Sequence, residues 1–251
     1  MEKLPKDPTD VSQLLTGRES AAVGRRRFMR YLGATAAAGV ALSACTDQIV
    51  DPTAARGAGR AGFATVDLGD LGSNDTGILN YAYALEQLEA AFYIQVLMTP
   101  YSGITESERM ILRDIRDHEI VHREFFKAAL STAAIPGLTP DFSSIDFSSR
   151  ASVLGTARQF ENIGVSAYNG AGQFLMNPDL LAIAGKIVSV EARHASIIGT
   201  LLDPQGTLFA GDDIIFPSNG LEEIRVPAEV LTIVSPFIKE TINAMPVRRR
   251  A

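Results

Sequence analysis

The chain has 251 residues, 46 % apolar and 21 % charged, enough for a core of one large domain or two small ones. Its formal net charge is −6 with no basic stripe, which argues against nucleic acid as a partner and suits attraction of cations. A single cysteine, Cys45, excludes an internal disulfide, a Cys-based zinc site and an iron–sulfur cluster within one chain.

The charge is unevenly spread. Residues 1–45 carry seven Lys/Arg and four Asp/Glu, a local net of +3, so the remainder carries −9. Gly24-Arg25-Arg26-Arg27-Phe28-Met29-Arg30 precedes an apolar stretch from Tyr31 to Ala44 that is too short and too rich in Gly and Ala for a membrane span. A basic patch before a short apolar run is the layout of an export signal, and the paired arginines resemble a twin-arginine signal. Leu42-Ser43-Ala44-Cys45 resembles a bacterial lipobox, where cleavage precedes a lipidated cysteine; the plainer alternative is an incidental Cys45 and a simpler cleavage nearby. Residues 1–45 are therefore expected to be a twin-arginine-type signal with lipobox. The mature protein is expected in the cell envelope or periplasm, held to a membrane through lipidated Cys45. Residues 46–72, rich in Gly and Ala with Pro52 and no clear period, read as a flexible tether.

Residues 73–202 read as four helices. The first spans Thr76 to Met98, with Ser73, Asn74 and Asp75 as candidate caps and Pro100 beyond its end. The second spans Glu106 to Ala133; Thr105-Glu106-Ser107-Glu108 has the form of a capping box, and Pro136-Gly137 stops it. The third covers Arg150 to Met176. The fourth opens on Asn177-Pro178, cap and first-turn proline, and ends near Asp203-Pro204. Short links join helices one to two and three to four, so each pair is an antiparallel hairpin. The link from two to three, Ser131 to Ser149, is long and makes one crossover between the hairpins. Residues 203–251 form a C-terminal extension: a Gly-bearing stretch to 226 with short strands or a packed loop, then a fifth helix from Pro227 to Met245 with a break at Pro236.

A motif occurs twice in this frame. Glu119-Ile120-Val121-His122 and Glu191-Ala192-Arg193-His194 are both Glu-x-x-His, and Glu86 and Glu161 are each followed seven residues later by a tyrosine, Tyr93 and Tyr168. Residues three or seven apart share a helix face. The hairpins also look like copies. Leu79, Ala82, Glu86, Glu89, Tyr93 and Val96 correspond to Leu154, Ala157, Glu161, Gly164, Tyr168 and Ala171; Leu112, Ile115, Glu119, His122 and Phe126 correspond to Ala184, Ile187, Glu191, His194 and Ile198. Apolar residues flank each polar patch at three–four spacing, so the patch belongs to a core stripe.

Four glutamates in one buried layer would repel one another and resist desolvation. Two divalent cations resolve that conflict, and mixed carboxylate–imidazole ligation suits two iron ions, with manganese as the alternative; affinity order alone would also let zinc or copper compete. The expected metal ligands are Glu86 and Glu161, terminal on one ion each, Glu119 and Glu191, bridging, and His122 and His194, completing one ion each. Tyr93 and Tyr168 are expected to act in catalysis, by hydrogen-bonding a ligand carboxylate or supplying an electron. Glu89 also faces the seam and can replace or join Glu86. His118 lies about 100° from Glu119 on the helix and is expected behind the ligands or at the surface. A single Glu-x-x-His could instead be a surface pair, and the repetition argues against that.

The segments from Ile78 to Leu202 resemble the ferritin-like superfamily of di-iron carboxylate proteins. Leu85-Glu86-Gln87-Leu88-Glu89-Ala90-Ala91-Phe92-Tyr93 and Val234-Ser235-Pro236-Phe237 look like a branch that includes desiccation-related proteins and exported bacterial proteins. The resemblance implies an all-α, ferritin-like four-helix bundle with one long crossover. The single cysteine leaves no rubredoxin-type iron centre, and Ile120 stands where bacterioferritins carry a haem-binding Met. The implied function is an envelope oxidoreductase whose partners are metal ions and oxygen or peroxide, acting as a ferroxidase or in peroxide removal. The alternatives are a non-catalytic stress-protection or structural protein and an interaction module built on residues 203–226. Nucleic acid is not an expected partner; a homo-oligomer is compatible with the pattern.

Overall fold

A computed structural model describes residues 63–72 and 74–245. The export signal, the lipobox and most of the tether lie outside the described residues. Four long helices dominate: α1 (Asp75–Met98), α2 (Glu106–Leu130), α3 (Arg150–Gly172) and α4 (Pro178–Leu202). Their starts follow the sequence cues. Gly77 N–H donates to Asn74 Oδ1, Thr105 and Glu108 form a reciprocal capping box, Ser149 caps α3, and Asn177 with Pro178 opens α4. The Asp75 carboxylate accepts from the backbone N–H groups of Met176 and Asn177, tying the α3–α4 turn to the start of α1.

Helices α1 and α2 form one hairpin and α3 and α4 the other; α1 also packs on α3, and α2 on α4. Most of the α1 surface is buried, because β1 (Thr65–Asp70) and the crossover cover what the other helices leave open. The crossover is fixed by side-chain amides of α1 rather than by regular structure. Asn80 donates to Ala133 O and accepts from Ile135 N–H, and Gln87 Oε1 accepts from Leu138 N–H. Phe142 and Phe147 of the crossover pack on Phe92, which also meets Phe160 edge to face.

Two expectations need correction. The end of the supposed tether is a strand, β1, in which Val66 and Leu68 face the core. The supposed fifth helix is only α5 (Pro227–Val234), followed by a 3-10 turn at Ser235–Phe237 and a last strand, β4 (Thr241–Met245). Strands β1 and β4 pair in parallel, Thr65 opposite Thr241 and Val66 opposite Ile242. Pro236 does end the helix, but the chain then turns into an extended segment. Between α4 and α5 a short hairpin of β2 (Ile215–Phe216) and β3 (Leu221–Glu222) turns at Gly220. Among the described residues no helix is long and apolar enough to cross a membrane.

The extension is locked to α3. Arg225 N–H donates to Ser166 O and its guanidinium to Ser166 Oγ, while Val230 and Val234 enter the core. A methyl group at Gly170 would overlap the Arg225 carbonyl, so only glycine admits this approach. Gly155 sits on the same helix, exposed, with open space around its Cα. Gly170→Ala should therefore destabilise the protein by about 1–3 kcal/mol, whereas Gly155→Ala should stabilise it by roughly 0.5–1 kcal/mol. Thermal denaturation of both variants checks the pair, and equal effects would contradict this packing.

Candidate metal centre

Each helix contributes to one layer in the middle of the bundle. Glu86 comes from α1, Glu119 and His122 from successive turns of α2, Glu161 from α3, and Glu191 and His194 from successive turns of α4. All four glutamates are 0 % exposed. His194 is buried and His122 nearly so.

The six side chains form two overlapping groups. Glu86, Glu119, His122 and Glu191 each bring one donor atom within 4.8 Å of the others, and so do Glu119, Glu161, Glu191 and His194. Glu119 and Glu191 belong to both. The imidazoles reach across the bundle: His122 Nδ1 lies 2.8 Å from Glu191 Oε1, and His194 Nδ1 lies 2.8 Å from Glu119 Oε1. His122 Nδ1 is 3.5 Å from Glu86 Oε2, and His194 Nδ1 is 3.4 Å from Glu161 Oε2.

The tyrosines also cross over. The two-turn spacing put each near the glutamate of its own helix; in the structure each serves the other hairpin. Tyr93 Oη donates to Glu161 Oε1 at 2.5 Å, and Tyr168 Oη donates to Glu86 Oε1. Burial, with the charge of the bonded carboxylate, holds both phenols protonated.

Each tyrosine bond occupies one oxygen of Glu86 and of Glu161. Their other oxygens, both oxygens of Glu119 and of Glu191, and Nδ1 of both histidines are buried without a hydrogen-bond partner among the described residues. Close as they are, these atoms do not meet in hydrogen-bonding geometry. Such orphaned groups are rare in folded proteins and call for an explanation. Here there are eight, and they fall into two sets of four: one oxygen of Glu86 or Glu161, one nitrogen, and one oxygen from each shared glutamate.

The electrostatics match this crowding. Burial raises Glu86, pushes Glu119 well above its usual value and lifts Glu161 to about 7. Burial also acts on Glu191, but the two imidazoles close beside it outweigh that and leave the carboxyl below its usual value. Burial disfavours the charged imidazoles, yet the surrounding carboxylates prevail and raise His122 and His194 to about 12.

Two neighbours complete the layer. Glu89 is buried but belongs to neither group; its carboxyl lies in the space left by Gly164, where a Cβ would sit 3.1 Å from Glu89 Oε1. Burial, then the charges of Glu119, Glu191, Glu161 and Glu86, push it well above the carboxylate range. His118 Nδ1 lies 2.9 Å from His194 Nε2 with the rings nearly coplanar. It supplies a partner for the far nitrogen of one imidazole, a contact made between helices and so absent from any single-helix pattern.

Residues 74–204, more than half of the chain, match the family model for the ferritin-like domain. The chain belongs to the ferritin-like domain family. That family accounts for the four-helix frame; the ferritin-like domain here adds β1, the β2–β3 hairpin, α5 and β4 around it. No curated protein matches the chain significantly.

In metal-free protein, Glu86, Glu119, Glu161 and both histidines hold protons more tightly than in the unfolded chain. Each such group stabilises the fold below its unfolded pKa and loses that contribution as pH rises through its folded value. Glu161 acts between 4.5 and about 7, and the histidines between 6.5 and about 12. Glu191 works in the opposite sense, below 4.5. The melting temperature of chelator-treated protein should therefore fall as pH rises from about 5 to about 9. A melting temperature that climbs over that interval would contradict the assignment.

Proposed function

We propose that the ferritin-like domain holds two metal ions in this layer, iron fitting the donors best with manganese as the alternative, and turns them over with oxygen or peroxide. The observation that carries the reading is the set of eight orphaned donor atoms. Two divalent cations would satisfy all eight and balance four carboxylates. Glu86 and Glu161 each have one free oxygen and are suited to terminal ligation; Glu119 and Glu191 have two each and are suited to bridging. Two imidazoles among carboxylates favour iron or manganese over magnesium or calcium.

When bound, such ions supply the one-electron chemistry that oxygen or peroxide requires. The chain supplies the rest. Tyr93 and Tyr168 hold one oxygen of Glu161 and Glu86 and so turn the other toward the centre. Each phenol also carries a proton on the atom that touches the carboxylate, which places it for proton transfer. The closed walls keep bulk water from the layer. This supports a ferroxidase or peroxide-removing role. Elemental analysis of protein purified from its native source should find about two ions per chain, and Glu119→Ala with Glu191→Ala should remove both. Unchanged metal content in that double variant would reject the centre. Bound metal without oxygen- or peroxide-dependent turnover above that of free iron would instead favour a stress-protection or structural role.

The same reading places the protein in the cell envelope, anchored by lipid on Cys45. Its support is the sequence of residues 24–45: paired arginines, a short apolar run and a lipobox-like Leu42-Ser43-Ala44-Cys45. Expressed in a bacterial host, the wild-type chain should sediment with membranes and carry a lipidated N-terminal cysteine by mass spectrometry. Cys45→Ser should be released as soluble protein; membrane retention of that variant would refute the anchor.

A further inference from the structure

The repeated motif gives the two halves of the layer the same donors but not the same support. His194 Nδ1 faces the carboxylates, and its Nε2 lies 2.9 Å from Nδ1 of His118. The two rings are 9° from parallel, and His118 is itself exposed. His122 has no such partner. Its contacts all run through Nδ1, and among the described residues no group meets its Nε2. The residue that takes the place of His118 in the second motif is Val190, whose side chain cannot accept a hydrogen bond. The braces on the two unshared glutamates differ as well. Tyr93, which holds Glu161, is 0 % exposed and packs edge to face on Phe92, which Phe142, Phe147 and Phe160 also contact. Tyr168, which holds Glu86, borders an apolar cavity of about 30 Å³ lined by all four long helices.

We propose that the two metal positions differ in affinity. The one formed by Glu161 and His194 with the shared Glu119 and Glu191 holds its ion tightly, the one formed by Glu86 and His122 exchanges it, and His118 is the positioning residue behind the difference. The inference rests on the metal centre proposed above. A histidine that gives its Nδ1 lone pair to a cation carries its proton on Nε2. An acceptor at that proton fixes the tautomer, holds the ring in line with the ion and makes the coordinating nitrogen more basic; losing such an acceptor typically costs roughly 10–100-fold in metal affinity. His118 Nδ1 is that acceptor for His194. His122, with a side chain 12 % exposed, is left to solvent. The tyrosine surroundings act in the same direction. A phenol enclosed by aromatic contacts holds its carboxylate in one place. A phenol beside a void has lost part of those contacts, which leaves Glu86 freer to shift and to release an ion.

Manganese(II) alone tests this, with no turnover to read. Titrated into chelator-treated full-length protein and followed by calorimetry and electron paramagnetic resonance, it should bind the wild type in two steps about 10–100-fold apart in affinity. The first step should give an isolated-ion signal and the second a spin-coupled one. His194→Ala should abolish the tighter step, and His122→Ala the weaker. His118→Ala should weaken only the tighter step, again by about 10–100-fold, so that the two merge. His118→Asn, whose amide oxygen can stand where Nδ1 stands, should separate them again, a rescue that a merely structural role for His118 would not produce. Two ions bound with equal affinity by the wild type overturn the inference and leave the centre standing, as does a His118→Ala variant that keeps the tighter step or weakens both alike. Should His118→Ala not fold, the wild-type titration still judges whether the positions differ. Wild-type protein that binds no manganese at all overturns the metal centre itself.

Discussion

Four carboxylates buried in one layer are the constraint around which this chain is organised. Each glutamate is withdrawn from water, where its charge is most stable, and set beside others of the same sign. Without compensation the layer would force the helices apart. Without metal, protons are the compensation: the imidazoles take them up strongly, and three of the four glutamates hold them above the usual range. Two divalent cations are the other solution, and the donor atoms are already divided into two sets for it. Ions entering would have to displace those protons, so metal uptake would be coupled to proton release in this fold.

The rest of the architecture keeps the layer from relaxing. Orphaned donors would seek one another if the side chains were free, but Glu86, Glu161 and His194 are each held by a group outside the set. Tyr93 braces Glu161 and Tyr168 braces Glu86, each from the opposite hairpin, so the two hairpins are cross-linked at the level of the site. Asn80 and Gln87 fix the crossover along α1, the β1–β4 pair joins the segments that flank the bundle, and the Arg225–Ser166 contacts tie the extension to α3. These contacts are remote from the chemistry, yet they set the helix positions on which sub-ångström placement of the donors depends.

Much of this was legible in the sequence because its key relations are local. Glu119 with His122, and Glu191 with His194, need only helical periodicity to share a face, and the capping residues mark where each helix begins. What was not legible is relational. Spacing places Tyr93 on the face of Glu86 but says nothing about how far α3 is shifted against α1, and that shift delivers Tyr93 to Glu161. His118 points away from Glu119 on its own helix and meets His194 only because α4 lies there. The β1 segment looked like linker because its alternation covers two buried residues, and its parallel partner lies at the far end of the chain. The same distance hid β4, whose Thr241 and Ile242 were absorbed into a helical pattern that Pro236 had already ended.

The repeated hairpins invite the view that the two halves of the site are interchangeable, and three differences argue against it. Where the first hairpin has Glu89 the second has Gly164, and the missing side chain makes the space that the Glu89 carboxyl occupies. Where α2 has His118, α4 has Val190, so His194 is backed by a second imidazole and His122 has no such counterpart. Phenylalanines close the surroundings of Tyr93, whereas those of Tyr168 open into an apolar cavity. Each difference acts on a different property: local charge, the basicity of one nitrogen, and packing. They also fall on different halves. The cavity adjoins the Glu86–His122 half, and the backing imidazole supports the Glu161–His194 half. A twofold donor set with one-sided surroundings separates a half that borders an apolar cavity from a half whose imidazole is better supported, a division that the symmetry of the donors alone would not produce.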